Sequence, residues 1–169
     1  MAGDPTKPLD RPTPAAITAE VDHPLHALGF EYSHVSQEKI TGHLTVSESW
    51  CQPFKRMHGG VAAFVAEGVA SAGAYMASGF QRVAGIQLSI NFIKPAFLGD
   101  KIEVEANRIL LSKTIQVWEV QQWKTNPTSG EKVLLSLSNV TLLCNLPSPV
   151  VMKSFEDAMK KYSKKYSKL

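Results

Sequence analysis

The chain has only two cysteines, Cys51 and Cys144, among its 169 residues. Two cysteines are too few for a disulfide framework, and these two do not form the Cys-x-x-Cys spacing that is typical of zinc sites. We therefore expect neither a disulfide-stabilised scaffold nor a metal centre. The low cysteine content also favours a reducing, intracellular environment.

A surplus of positive charge is lacking over most of the chain. The formal net charge is +3, but residues 153–169 hold six lysines against Glu156 and Asp157, which leaves a net charge of −1 for residues 1–152. Nucleic-acid binding requires clustered cations that contact phosphates. The composition therefore argues against a nucleic-acid-binding protein.

One stretch is almost free of charge: Gly59–Phe80, in which Glu67 is the only acidic or basic side chain that is charged near neutral pH. Its length alone would admit a membrane span. Five glycines and a carboxylate in mid-segment argue against that interpretation, because an unpaired charge at mid-bilayer is costly. We expect instead a helix buried on nearly every side, with small residues that let other backbones approach closely.

The segments around this helix alternate apolar and polar residues with the period of two that is typical of β-strands. One such segment precedes the helix, and four follow it; they span residues 40–46, 86–92, 102–107, 114–123 and 133–144. Residues 126–130, Asn-Pro-Thr-Ser-Gly, predict a hairpin loop. Four consecutive strands predict an antiparallel meander, and one long helix on its concave face gives an α+β hot-dog fold.

We expect one domain with two appendages. Residues 1–22 begin Pro-rich and polar and predict a flexible leader without a signal peptide. Residues 23–146 form the hot-dog domain, and residues 147–169 form a C-terminal helix and tail. In that helix Ser154 is the predicted cap, and Phe155, Met159 and Tyr162 form an apolar stripe that docks on the domain.

The last three residues, Ser167, Lys168 and Leu169, form a tripeptide that acts as a peroxisomal address. Four lysines between residues 160 and 165 keep this end solvated. We therefore expect a peroxisomal protein that binds the import receptor through its C-terminus. The alternative is a solvated basic tail without a targeting role.

Several short motifs have a familiar spacing. They are Cys51-Gln52-Pro53-Phe54, His58-Gly59-Gly60-Val61, Ala66-Glu67, Ala70-Ser71, the segments 82–91 and 113–120, and the terminal Ser-Lys-Leu. Over about residues 23–146 they resemble the hot-dog acyl-CoA thioesterases, and among these the plant peroxisomal 1,4-dihydroxy-2-naphthoyl-CoA thioesterases. The resemblance implies hydrolysis of an acyl-CoA to a free acid and coenzyme A, with 1,4-dihydroxy-2-naphthoyl-CoA of phylloquinone (vitamin K1) biosynthesis as the substrate.

The resemblance also implies a role for individual residues. Glu67 is the nucleophile or general base, and Gly59 is the backbone donor to the oxyanion, while Gln52 and His58 position the thioester and the water and Ser71 assists. It implies no metal and no cofactor beyond the coenzyme A of the substrate. The substrate-binding residues are Gly60, Lys94, Arg82, Lys113 and Ser112, the last of which stands where many relatives have glycine.

The residues support this chemistry independently. The His58-Gly59-Gly60 segment opens the long helix, where N–H groups lack intrahelical partners and the helix dipole favours negative charge. Among apolar neighbours Glu67 is expected to be desolvated, which suits a reactive carboxylate; the alternative is a structural carboxylate. Glu67 lies eight residues after Gly59, about 12 Å along the helix, so one carbonyl cannot contact both.

This distance predicts a homodimer with shared active sites, in which the long helices run antiparallel. The relatives suggest a further association into a dimer of dimers, a homotetramer. Three alternatives remain for the function. They are a thioesterase for other aryl or for medium-chain fatty acyl groups, a hot-dog hydratase or dehydratase, whose paired Asp and His motif is not found here, and a noncatalytic acyl-CoA-binding protein, which has no need of Glu67.

Overall fold

The computed structural model describes residues 13–126, 128–147 and 153–166. Its elements are α1 (Pro14–Val21), α2 (His23–Ala27), β1 (Glu31–Val35), β2 (Lys39–Thr45), a 3-10 turn (Glu48–Trp50), α3 (Gly59–Ala77), β3 (Arg82–Phe92), β4 (Lys101–Leu111), β5 (Ile115–Thr125), β6 (Lys132–Leu146) and α4 (Lys153–Tyr166). The predicted order of one strand, a long helix and four strands is confirmed. Helices α1 and α2 and strand β1 were not predicted.

The six strands form one antiparallel sheet in the order β1-β2-β4-β5-β6-β3. Strands β4, β5 and β6 form the predicted meander, but the prediction was wrong for β3, which pairs with β6 instead of β4. The connection between β3 and β4 is a crossover. It starts beside β6, where Ile93 N–H donates to Leu135 O (2.8 Å). It ends beside the residue that follows β2, where Gly99 N–H donates to Val46 O (2.9 Å).

Helix α3 lies against one face of this sheet, as the hot-dog fold predicts. Two buried glutamines of β5 hold it there: Gln122 Nε2 donates to Ala62 O (2.7 Å), and Gln116 Nε2 donates to Ala74 O (3.2 Å). Between these two bonds the indole of Trp118 is fully buried. A Cβ on Gly73 would lie 2.4 Å from that indole, so only glycine lets α3 approach the sheet at this point.

One face of α3 stays open, contrary to the expectation of a helix buried on nearly every side. Phe64 is 40% exposed, and Glu67 and Ser71 are half-buried. These residues recur every three or four positions and therefore share one face, which the sheet leaves uncovered. Helix α3 has the length and the mean hydropathy (1.3) of a membrane span, but 56% of its most apolar window is buried inside this fold.

The first helices belong to the domain, so the prediction of a flexible leader was wrong for residues 13–22. Ile17 and Thr18 of α1 are fully buried. Tyr32 N–H of β1 donates to the Thr18 hydroxyl (3.1 Å), which ties α1 to the sheet. Short segments with few apolar residues gave no periodicity by which α1 could be predicted from sequence.

The C-terminal helix docks on the domain as predicted. Met159 and Tyr162 are buried, and the Tyr162 hydroxyl donates to Glu20 of α1. The helix begins at Lys153, one residue before the predicted cap, so Ser154 lies inside it. The side chain of Phe155 and the tripeptide 167–169 lie outside the described residues.

Candidate active site

The first turn of α3 presents one unpaired backbone donor. His58 caps the helix, because its Nδ1 accepts the Gly60 N–H (2.9 Å). The Gly60 amide, which we predicted to bind substrate, is therefore already engaged. Within the described ranges no acceptor contacts the Gly59 N–H. Gly59 thus offers a donor at the positive end of the helix dipole, where an oxyanion is stabilised.

The capping bond also fixes the histidine. Because Nδ1 accepts a hydrogen bond, the neutral imidazole of His58 carries its proton on Nε2. The side chain is exposed, so this Nε2–H is available to a substrate or a water molecule. His58 therefore caps the helix through Nδ1 and presents Nε2–H as a candidate donor.

A cavity of about 440 Å³ adjoins Gly59. It brings together three of the predicted site residues: Gln52, Gly59 and Lys94. Its other walls include residues that sequence reasoning missed, namely Arg56, Phe92, Gln122 and Ser136. The alternation of β3, β5 and β6 could place Phe92, Gln122 and Ser136 on one face of the sheet, but only the strand order shows that they line one cavity.

Phe92 lines the cavity and lies close to the backbone of Gly59. A Cβ on Gly59 would lie 3.0 Å from Phe92 Cζ and 3.1 Å from Cε1. The ring is nevertheless 61% exposed in the single chain. Gly59 therefore allows an aromatic side chain to lie close to the backbone that would bind the thioester carbonyl.

Glu67 lies at a second cavity, lined by Gly85, Ile86, Gln87 and Leu88 of β3. The Ser71 hydroxyl donates to Glu67 Oε1 (2.7 Å), as their spacing of four residues on a helix allows. The expectation that Glu67 is desolvated was wrong for the single chain, where the side chain is half-buried. The reason is its position on the open face of α3.

Gly85 is the close neighbour of this carboxylate. A Cβ at residue 85 would lie 2.9 Å from Glu67 Oε1, inside ordinary contact distance. The pairing of β3 with β6 is irregular between Gly85 and Gln87, as in a β-bulge. Bulges are frequent beside active sites because they change the direction of a strand locally.

A second carboxylate, Asp22, lies near Glu67. Asp22 Oδ1 caps α2 by accepting the Leu25 N–H (2.9 Å), and Leu25 packs on Gly68, the residue after Glu67. Burial raises the pKa of Asp22 above its usual value, and the negative charge of Glu67 raises it further, whereas the hydrogen bond from Leu25 lowers it. The unpredicted N-terminal helices thus contribute to the electrostatics around Glu67.

Three of the predicted substrate-binding residues, Ser112, Lys113 and Arg82, do not join Lys94 within one chain. Ser112 and Lys113 precede β5, near the end where Gln116 binds Ala74, whereas the cavity of Gly59 lies at the other end, where Gln122 binds Ala62. Arg82 begins β3 after the short link of residues 78–81, so it lies toward the C-terminal end of α3, the end that carries Ala74. Within a single subunit, these residues therefore lie at the opposite end of α3 from Gly59.

Ser112 makes the turn in place of glycine. Its hydroxyl accepts the Ile115 N–H (3.0 Å) and donates to Ile115 O (2.8 Å), which closes the link between β4 and β5. The side chain is thus used for the turn instead of being free for substrate. Over the parts of the chain that the structure describes, no cluster of three His, Cys, Asp or Glu side chains could hold a metal ion.

Comparisons with known proteins agree with this geometry. Residues 54–131 match the family model described as the thioesterase superfamily. The chain is 48% identical over 143 residues to 1,4-dihydroxy-2-naphthoyl-CoA thioesterase 2 of Arabidopsis thaliana, which covers 83% of this chain and 91% of the relative. It is 31% identical to 1,4-dihydroxy-2-naphthoyl-CoA hydrolase of Listeria monocytogenes, over 68% of this chain and 89% of the relative.

A similar fold is found among solved structures. The crystal structure of AziG from S. sahachiroi superposes with a TM-score of 0.68 at 26% identity. The superposition covers 75% of this chain and 99% of that one.

Proposed function

The chain belongs to the thioesterase superfamily and is a thioester hydrolase, and we propose that its substrate is 1,4-dihydroxy-2-naphthoyl-CoA, an intermediate of phylloquinone biosynthesis. One observation carries this proposal: the Gly59 N–H at the start of α3 has no acceptor among the described residues, and Gly59 lines a cavity together with Gln52. The names of two relatives supply the acyl group.

The first catalytic element is the Gly59 N–H. When the thioester carbonyl is attacked, its oxygen gains negative charge, which the unpaired N–H and the helix dipole stabilise. Gln52 lines the same cavity and the exposed His58 directly precedes Gly59, and both can hold the thioester and the attacking water. Removal of one oxyanion donor in other enzymes lowers kcat by about 10²–10³.

The second catalytic element is Glu67. Its carboxylate either takes a proton from the water that attacks the carbonyl carbon, or attacks that carbon itself and forms an anhydride that water then hydrolyses. In both routes the carbon–sulfur bond breaks and coenzyme A leaves as the thiol. The Ser71 hydroxyl donates to Glu67 Oε1 and orients it.

These two elements are brought together by a second copy of the chain. Gly59 and Glu67 lie about 12 Å apart on one uninterrupted helix and line different cavities. Two features support the dimer: the open face of α3 carries Phe64, Glu67 and Ser71, and β3 ends the sheet, so its outer edge is free to pair. Antiparallel α3 helices would place Glu67 of each subunit near Gly59 of the other.

This arrangement also places the cations. Lys113 and Arg82, at the C-terminal end of α3, would lie near the cavity of the partner subunit. There they would join Lys94 as candidate contacts of the coenzyme A phosphates. A further association of two dimers into a tetramer is part of the same proposal.

Thiol release from a panel of acyl-CoA esters tests the function. We expect hydrolysis of 1,4-dihydroxy-2-naphthoyl-CoA to exceed that of benzoyl-CoA and of medium-chain fatty acyl-CoA, and Glu67→Ala to leave only a small residual rate. Equal rates on all esters would favour a broad thioesterase. Binding without thiol release would indicate a noncatalytic acyl-CoA-binding protein.

Mixed dimers test the shared site. Glu67→Ala and Gly59→Val are each expected to be inactive, but a heterodimer of the two has one intact site and one doubly damaged site. Activity should therefore return on subunit exchange. Failure to recover activity, with exchange demonstrated by differently tagged subunits, would refute the crossed arrangement.

The proposed location is the peroxisome, on the basis of Ser167-Lys168-Leu169. A fluorescent protein fused to the N-terminus should give a punctate pattern that overlaps a peroxisomal marker. Deletion of Leu169 should make it diffuse. A diffuse pattern for the intact fusion would refute the location and leave the hydrolase activity unaffected.

A further inference from the structure

Ser136 is a buried serine whose hydroxyl is unpaired. The residue is 2% exposed, and its Oγ has no hydrogen-bond partner among the described residues. Buried hydroxyls in proteins are normally paired, because water that would otherwise bind them has been removed. An unpaired hydroxyl at a cavity wall is therefore a place where a polar group of a ligand gains a hydrogen bond.

The position of Ser136 is set by its neighbours in the sheet. It lies on β6 directly opposite Phe92 of β3 and Gln122 of β5. Residues that are directly opposite share a face of the sheet, and both neighbours contact the start of α3: Phe92 packs on Gly59, and Gln122 donates to Ala62 O. All three line the cavity that adjoins the oxyanion donor.

The two ends of this cavity differ in chemistry. Arg56 and Lys94 line it and are exposed, so they can contact the phosphates of coenzyme A in solvent. Ser136 and Gln122 line it and are buried, at the sheet. A thioester whose phosphates stay near the exposed cations, with its carbonyl at Gly59, directs its acyl group toward the buried polar end.

We propose that Ser136 is a specificity-determining residue that hydrogen-bonds a ring hydroxyl of an aromatic acyl group in this cavity. The proposal rests on the proposed function. Rotation about χ1 between staggered positions turns Oγ toward the ligand. A site built to bind a hydroxyl discriminates against an analogue that lacks one, because its own polar group is then left unpaired. An aliphatic acyl group leaves Ser136 in that state.

The chain contains a matched control. Ser138 is two residues further along β6, faces the same side of the sheet, is fully buried and also has an unpaired hydroxyl, but it does not line the cavity. Ser136→Ala and Ser138→Ala thus remove the same chemical group from similar surroundings. Neither change should lower the melting temperature appreciably, since each removes a hydroxyl that bonds to no described residue.

The test measures kcat/KM for 1,4-dihydroxy-2-naphthoyl-CoA and for 2-naphthoyl-CoA, which differ only in the ring hydroxyls. Ser136→Ala should lower the value about tenfold for the hydroxylated ester, the effect of one hydrogen bond, and change it less than about twofold for 2-naphthoyl-CoA. Ser138→Ala should change neither by more than about twofold. Inhibition by free 1,4-dihydroxy-2-naphthoate should weaken by a similar factor in Ser136→Ala alone.

Two results would overturn the proposal: an equal loss on both esters, which would assign Ser136 to the coenzyme A part or to the fold, or no loss on either. A wild-type protein that hydrolyses neither ester would instead refute the proposed function. In that case the affinities of wild type and Ser136→Ala for 1,4-dihydroxy-2-naphthoate and for 2-naphthoate would be measured directly. Equal affinity of Ser136→Ala and wild type for the hydroxylated acid would then refute the specificity role separately.

Discussion

The substitution Gly85→Ala separates the position of the Glu67 carboxylate, which we propose to be catalytic, from the stability of the fold. An added Cβ would lie 2.9 Å from Glu67 Oε1 and 3.7 Å from the carboxylate carbon. The atom that must move is the end of a flexible side chain, so the carboxylate is displaced by a few tenths of an ångström at little cost. We expect the free energy of unfolding to change by less than about 1 kcal/mol.

The same displacement of the Glu67 carboxylate should lower kcat. Misplacement of a reacting group by about 1 Å can cost about 10²-fold in rate, so a smaller shift of Glu67 predicts a loss in kcat of about tenfold. Thiol release under saturating substrate measures kcat, and thermal unfolding measures stability. Ser89→Ala, on the same strand but not lining the cavity of Glu67, controls for a general disturbance of β3.

A double-mutant cycle tests the cause. In a Glu67→Ala background the carboxylate is absent, so Gly85→Ala should have no further effect on the residual rate. A wild-type kcat in folded Gly85→Ala would refute the reasoning. So would an equal loss in both backgrounds. Size-exclusion chromatography of the variant excludes dissociation of an oligomer as the reason for a loss.

Three further predictions concern stability and metals. Gly73→Ala should lower the free energy of unfolding by about 1–3 kcal/mol, because the new Cβ would lie 2.4 Å from the buried Trp118 indole; urea unfolding measures it. Asp22→Asn keeps an oxygen that can cap α2 but removes a carboxyl group whose pKa is raised in the folded state. A carboxyl group whose pKa is raised in the folded state lowers the free energy of unfolding as the pH rises through that pKa. The variant should therefore have a higher melting temperature than wild type at pH 7, and the difference should disappear at acidic pH. A difference that does not depend on pH would contradict this. Hydrolysis should be unchanged after treatment with EDTA, and a loss that added metal restores would refute the proposed metal-free mechanism.

Local signals in the sequence determined most elements of the fold. The charge-free run after His58 predicted α3, and the alternation of the later segments predicted β3 to β6, because burial of one side of a helix or strand imposes a period that neighbouring residues reveal. Short elements such as α1 and β1 contain too few residues to show a period. Their helix and strand structure depends on contacts such as Thr18 with Tyr32, fourteen residues apart.

The order of the strands was decided only by the tertiary structure. The sequence places β3 before β4, which suggests a hairpin, but β3 pairs with β6 and the chain crosses to β2 through residues 93–100. Pairing of strands is a contact between distant segments, and alternation says which face a residue occupies but not which strand lies beside it.

Some features of the candidate site were likewise predicted from the sequence, and others were visible only in the fold. The resemblance of the motifs to a known family indicated Gln52, His58, Gly59, Glu67 and Ser71. The rise of an α-helix predicted that Gly59 and Glu67 of one site come from two subunits. Only the fold showed that the Gly60 amide is used by the His58 cap, that Gly85 touches Glu67, and that Ser136 of β6 lines the cavity of Gly59. A helix carries its own geometry in its sequence spacing, whereas a cavity exists only after distant strands have paired around it.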